Sequence, residues 1–197
     1  MNGLETFLLR NRLAQAGFAP SLFRYPSTRA TLSEVAAGLA GHLRGLGASV
    51  HVVGHSLGGL IILETFETQG ELPLGRVVLL GSPVQGSRTA RSIASWSPLG
   101  PALLGTLAAT ELTRAGNRCW QQARELGVIA GSRSAGIGRI VADLPAPNDG
   151  TVSVDETRLT GANEHIVHDV SHTGMLMSAT VAQSLTRFLA SGTFRQT

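Results

Sequence analysis

A chain of 197 residues, 43% hydrophobic and 15% charged, carries enough apolar material for one packed domain, which excludes a disordered or fibrous protein. Its 24 glycines are spread through apolar segments and not gathered in a repeat, so a collagen-like or low-complexity chain is excluded too. All 16 basic residues are Arg, they stand singly, and the net charge is only +3, so no basic run tracks a nucleic-acid backbone. A mildly basic surface does leave room for peripheral contact with anionic lipid.

The single cysteine, Cys119, offers neither an internal disulfide nor a Cys-rich metal site. The N-terminal residues lack the zones of a signal peptide, and no apolar run approaches the ~20 residues that cross a bilayer, so a soluble cytoplasmic protein is the expectation. Taken in chain order, Leu4, Leu8, Leu9, Leu13 and Ala16 repeat at helical spacing before Gly17. Ser21 to Tyr25 reads as a short strand ending at Pro26, because its aromatic residues favour extended structure and Pro blocks continuation. Thr31 and Glu34 form a capping box that opens a helix with Leu32, Val35, Ala36, Leu39 and Leu43 on one face, closed at Gly47.

The β-branched run Val50 to Val53 predicts a strand, then a glycine turn, then an apolar helix around Leu60 to Phe66. Arg76 to Leu80 and Gly127 to Gly131 repeat the buried-strand signal, and the last strand is placed at Ile166 to Val170, before a helix carrying Met177, Val181, Leu185, Phe188 and Leu189. Strands alternating with helices predict an α/β fold: a mostly parallel sheet with helices on both faces, in a single domain over 1–197. A largely helical excursion at 84–120 interrupts the alternation, and its Ile93, Trp96, Leu99, Leu103, Leu104 and Leu107 suit either a lid over an active site or a helix packed on the sheet.

The motif that carries chemistry is Gly54-His55-Ser56-Leu57-Gly58, because Gly-x-Ser-x-Gly between a strand and a helix is the nucleophile elbow. A serine on so sharp a turn occupies strained backbone, and the residues two before and two after it are expected to lack bulk so that strand and helix can approach. Ser56 then stands at the positive end of the helix, and the Leu57 N–H becomes an oxyanion donor. A serine hydroxyl needs a histidine base, and that histidine needs a carboxylate to fix its tautomer. In the order nucleophile, acid, histidine, the turn Pro147-Asn148-Asp149-Gly150 supplies Asp149 and the end of the last strand supplies His172. Asp143, Asp155 and Asp169 compete with Asp149, with Asp155 next in rank. His165 and His168, three residues apart on a strand, point to opposite faces and cannot easily share a metal ion.

These residues resemble bacterial α/β-hydrolases of the esterase/lipase type, similar to the branch related to the GPI inositol-deacylases. The resemblance rests on Gly54-His55-Ser56-Leu57-Gly58-Gly59, on Asn148-Asp149-Gly150-Thr151-Val152, and on Ser171-His172-Thr173-Gly174-Met175-Leu176 before the final helix. It implies ester hydrolysis through an acyl-enzyme on Ser56, a small-molecule ester or lipid as substrate, and no cofactor. Some related lipases place a calcium-binding Asp shortly after the catalytic histidine, whereas Thr173 and Gly174 follow here, so no metal is expected. A thioesterase or acyltransferase with the same triad is the alternative, and a non-catalytic binding module on the same fold is the third reading.

The resembling hydrolases begin with an apolar strand ending in His-Gly, which lies between the strands expected at Leu22–Tyr25 and Val50–Val53 and supplies a second oxyanion donor. This chain opens at Met1-Asn2-Gly3. The expectation is that Met1 is an internal methionine of a longer reading frame. Without the strand, its two neighbours must close a gap of roughly 10 Å or leave backbone groups unpaired.

Overall fold

A computed structural model of the protein describes residues 6–25, 30–96, 112, 118–135 and 144–195. Its elements are α1 (Phe7–Gln15), α2 (Leu32–Leu46), β1 (Val52–His55), α3 (Leu57–Thr68), β2 (Val77–Leu80), α4 (Arg88–Trp96), β3 (Leu126–Gly131), a 3-10 turn (Asp155–Thr157), β4 (Glu164–His168), α5 (Gly174–Met177) and α6 (Ala179–Ser191). The four strands form one parallel sheet in the order β1-β2-β3-β4, with Val52 beside Val77, Val77 beside Leu126, and Gly127 beside Glu164.

Parallel strands joined by helices are covered on both faces, which is why β2 and β3 read as continuous apolar runs. Val77, Leu79, Leu126 and Val128 pack with Leu39 and Leu43 of α2 and with Leu60 and Ile61 of α3. Val78, Leu80 and Ile129 point the other way, onto Leu9 and Leu13 of α1, Met175 of α5, and Leu185 and Phe188 of α6. The start of α2 shows the predicted capping box: Glu34 N–H donates to Thr31 Oγ1 at 3.3 Å, and Thr31 N–H donates to Glu34 Oε2 at 2.8 Å.

Four expectations need correction. β1 starts two residues later than Val50 and runs into the elbow, because pairing with β2 continues through the bond from Ser56 N–H to the Leu80 carbonyl (2.9 Å). β4 is likewise shifted, to Glu164–His168, and its ladder stops where Val170 N–H turns back onto the His168 carbonyl at 2.8 Å. The last helix is two: α6 restarts at Ser178, whose hydroxyl caps Val181 N–H at 3.3 Å. Residues 21–25 join no ladder. Phe23 instead stacks with Tyr25 and with His42 of α2, so the aromatic residues that suggested a strand are serving side-chain packing. Of the excursion, α4 is described, while Leu99, Leu103, Leu104 and Leu107 lie outside the described residues.

With no strand at 21–25, the two strands expected to flank a gap are not both present among the described residues. Among the described residues β1 is an edge of the sheet, and along it runs a groove of about 920 Å³ lined by Phe18, Phe23, Leu39, Leu43, Val53 and Ile61 among others. Val50, Val52 and Ser56 donate toward β2, so the backbone groups of the alternate residues His51, Val53 and His55 face the groove.

Candidate active site

The elbow is built by local backbone constraint. Ser56 has φ 55 and ψ −124, the one non-glycine residue with positive φ among the described residues. That conformation is strained for any residue with a Cβ and holds the side chain out at the strand-to-helix corner. A Cβ at Gly54 would lie 2.7 Å from Gly59 N and 2.6 Å from Ile62 Cδ1, so the position before the turn requires glycine. The expectation that Gly58 must also lack bulk is not met: nothing lies within 4 Å of a Cβ there. The tight approach falls one residue later, where a Cβ on Gly59 would sit 2.1 Å from Ser82 Oγ and 2.6 Å from Ser82 Cβ. The Gly59 N–H bonds the Ser56 carbonyl at 3.0 Å, whereas Leu57 opens α3, where an N–H has no intrahelical acceptor and points out of the helix end.

The acid and the histidine come from the loops after β3 and β4. Asp149, 1% exposed, accepts from His172 Nδ1 at 2.7 Å through Oδ2. Its other oxygen accepts the N–H groups of Thr151 (2.9 Å) and Val152 (2.7 Å), which hold the carboxylate in place. His172 N–H also bonds the Asp149 carbonyl at 2.9 Å, so the two loops are joined by backbone as well as side chain. With Nδ1 committed to Asp149, the Nε2 lone pair is left for proton transfer. The pair sits in a seat made by two glycines. A Cβ at Gly81 would come within 3.1 Å of Asp149 Oδ2 and 3.2 Å of His172 Nδ1, and one at Gly131 within 2.8 Å of Asp149 Cβ.

His172 lies against the residue that precedes Ser56. Its ring centroid is 4.6 Å from that of His55, and His55 Nε2 donates to the His172 carbonyl at 3.0 Å. Burial, reinforced by the charge of a protonated His172, holds the His55 imidazole down at about 3, so it stays neutral and fixes the histidine loop without competing as a base. No hydrogen bond joins Ser56 Oγ to His172 among the described residues, a common condition in a site without substrate.

The competing residues are placed elsewhere. Asp155 pairs with Arg158 at 3.1 Å and Asp169 with Arg133 at 2.7 Å, both on the exposed surface, and Asp143 lies outside the described residues. His165 bonds Thr157 Oγ1 at 2.9 Å and His168 bonds Ser184 Oγ at 3.0 Å, on opposite faces of β4 as the strand spacing predicted. Sequence reasoning missed the contact of His55 with His172 and the glycine seat. Only the chain position of His55, adjacent to Ser56, hinted at its role.

A strained Gly-x-Ser-x-Gly turn at the C-terminal end of β1, with a bonded Asp–His pair on the loops after β3 and β4 of a parallel sheet, fits the α/β-hydrolase fold, and the chain has that fold. Solved structures agree in architecture. The mature lipase BlEst2 of Bacillus licheniformis superposes with a TM-score of 0.74 at 20% identity, over 94% of this chain and 83% of that one. Phospholipase PlaB of Legionella pneumophila gives 0.66 at 16% identity, over 98% of this chain and 56% of that one. A metagenomic carboxyl esterase gives 0.66 at 20% identity, over 83% and 57%. The chain therefore spans little more than half of the second and third of these proteins. No family model and no curated protein sequence matches the chain.

Proposed function

We propose that this protein is a serine hydrolase of carboxylic esters, acting through an acyl-enzyme on Ser56. The observation that carries the reading is the buried Asp149–His172 pair at 2.7 Å, packed through His55 against the strained turn that presents Ser56. In the first half-reaction Ser56 Oγ attacks the ester carbonyl carbon as His172 Nε2 takes its proton. The oxyanion that forms is stabilised by the Leu57 N–H at the start of α3. Collapse breaks the bond to the alcohol, which leaves with the proton from His172, and the acyl group remains on Ser56. Water then repeats the sequence, with His172 taking its proton and returning it to Ser56 as the acid departs. Throughout, Asp149 holds the tautomer and stabilises the imidazolium.

Support for an ester comes from the similar folds, described as a lipase, a phospholipase and a carboxyl esterase. No helix among the described residues is long and apolar enough to cross a membrane. A fluorophosphonate probe tests the reading, since only an activated serine is labelled. Wild type should label and hydrolyse p-nitrophenyl esters, and Ser56→Ala should do neither. Wild type that fails to label would overturn the enzyme reading in favour of a binding module.

A further inference from the structure

The first turn of α4 is fastened to the turn that bears Asp149, at two separate points. Thr89, 2% exposed, donates its hydroxyl to the Thr151 carbonyl at 2.6 Å. The N–H of the same Thr151 is one of the two that hold Asp149 Oδ1. The second point is Glu156, 7% exposed and inside the fold. Its Oε1 accepts the Arg88 N–H at 2.7 Å, while Oε2 accepts the N–H and hydroxyl of Ser153 at 2.8 and 3.1 Å. Ser153 in turn bridges to Asn148, the residue before the acid.

Two features mark this as more than generic loop packing. A helix starts with N–H groups that have no intrahelical acceptor; the local cap Ser87 Oγ takes that of Ala90 at 3.1 Å, and the Arg88 N–H is answered by a carboxylate 68 residues away in sequence. A buried carboxylate is costly unless its lone pairs are filled, and Glu156 fills them from both sides of the junction at once. The two contacts thus lie in one continuous chain: α4, Thr89 and Glu156, the 151–153 backbone, Asp149, His172.

We propose that Thr89 and Glu156 are positioning residues, through which the first turn of α4 sets the seat of Asp149 and so the strength of its hydrogen bond to His172. The inference rests on the reading of Asp149 and His172 as acid and base. It adds that the segment following β2 acts on the site through the acid, whatever the excursion beyond α4 covers. Asp149 and His55 are the titratable groups that hydrogen-bond His172 among the described residues, and neither Thr89 nor Glu156 hydrogen-bonds it. The hydrogen-bonded route from these two residues to the histidine runs through the 151–153 backbone and Asp149.

The test compares Thr89→Val, Thr89→Ser and Glu156→Gln with wild type by two measurements. One is the low-field proton resonance of His172 Nδ1–H, which reports the bond to Asp149 and needs no turnover. The other is the rate of fluorophosphonate labelling. Thr89→Val and Glu156→Gln should move the resonance upfield or lose it to exchange and slow labelling roughly tenfold, while Thr89→Ser, which keeps the hydroxyl, should match wild type. An unchanged resonance in folded Thr89→Val and Glu156→Gln would overturn the proposal, as would equal effects of Val and Ser at position 89. If Glu156→Gln does not fold, the Thr89 pair decides alone. Failure of the hydrolase reading is distinguishable: wild type would not label, while the resonance would still respond to Thr89→Val.

Discussion

The two arms of the candidate site are made in different ways. The elbow is mostly local: β1, Ser56 and α3 are consecutive, the strain lies in one residue, Gly54 is crowded by α3 itself, and only the limit on bulk at Gly59 comes from elsewhere, from Ser82 after β2. The acid–histidine arm is non-local, joining loops 23 residues apart by hydrogen bonds and depending on further contacts from β1 and α4. The elbow should therefore be sensitive to added volume, and the arm to single polar atoms.

The largest effect expected falls on both arms at once. Ser56→Ala should lower turnover of an activated ester by several orders of magnitude and leave the melting temperature near wild type, since alanine removes only a hydroxyl. His172→Ala should be comparably damaging. His168→Ala should not, because His168, on the strand β4, bonds Ser184 of α6, and steady-state kinetics of the two variants would show whether the histidines have been told apart.

Next comes the acid. Asp149→Asn should cost on the order of 10⁴-fold in kcat through loss of tautomer control, while Asp155→Asn, which breaks only an exposed ion pair, should stay close to wild type. A reversed ranking would move the acid out of the Asn148–Gly150 turn.

A smaller effect separates two neighbouring glycines in the elbow. Gly59→Ala should destabilise by about 1–3 kcal/mol, because its Cβ meets the buried Ser82. Gly58→Ala, in open space near the start of α3, should be neutral or stabilising by up to about 1 kcal/mol. Urea denaturation of both variants measures the difference, and equal losses would mean that the elbow is crowded on both sides.

The smallest effect is in acid. Burial, first among the causes, depresses His55 to about 3 and lowers His51, His165 and His168 below their ordinary value of 6.5. The unfolded chain takes up protons below about pH 6.5 that the folded chain refuses, so the stability these groups contribute is complete above that pH. It declines as the pH falls toward 3, the folded value of His55. Melting temperatures measured from pH 7 to pH 4 should fall progressively, and His55→Leu should flatten the slope even though it also loosens the His172 loop.

Ser56, Leu57, Asp149 and His172 were all legible as candidates in the sequence, for reasons that differ between the arms. A strained turn must be encoded where it occurs, so Gly-His-Ser-Leu-Gly between an apolar strand and an apolar helix announces itself. Asp149 was chosen over Asp155 from turn composition and chain order alone. The structure adds the reason that Asp149 bonds His172 while Asp155 is spent on Arg158 at the surface. The strand expected at 21–25 misled because aromatic residues signal either a ladder or a packed face, and propensity does not distinguish them.

What the sequence by itself determined is everything carried by short-range pattern: the capping box of α2, the buried runs of β2 and β3, and the elbow's place between strand and helix. Tertiary structure alone decided what depends on segments distant along the chain. It ended β4 at His168, put the tight glycine contact at Gly59 by bringing Ser82 beside it, and set β1, at the edge of the sheet among the described residues, beside a groove. It also brought His55 onto His172, and Thr89 and Glu156 onto the acid turn. The physical reason is common to these cases. A side chain's neighbours across a sheet or between loops are fixed by packing of the whole chain, and no local periodicity records which residue will arrive.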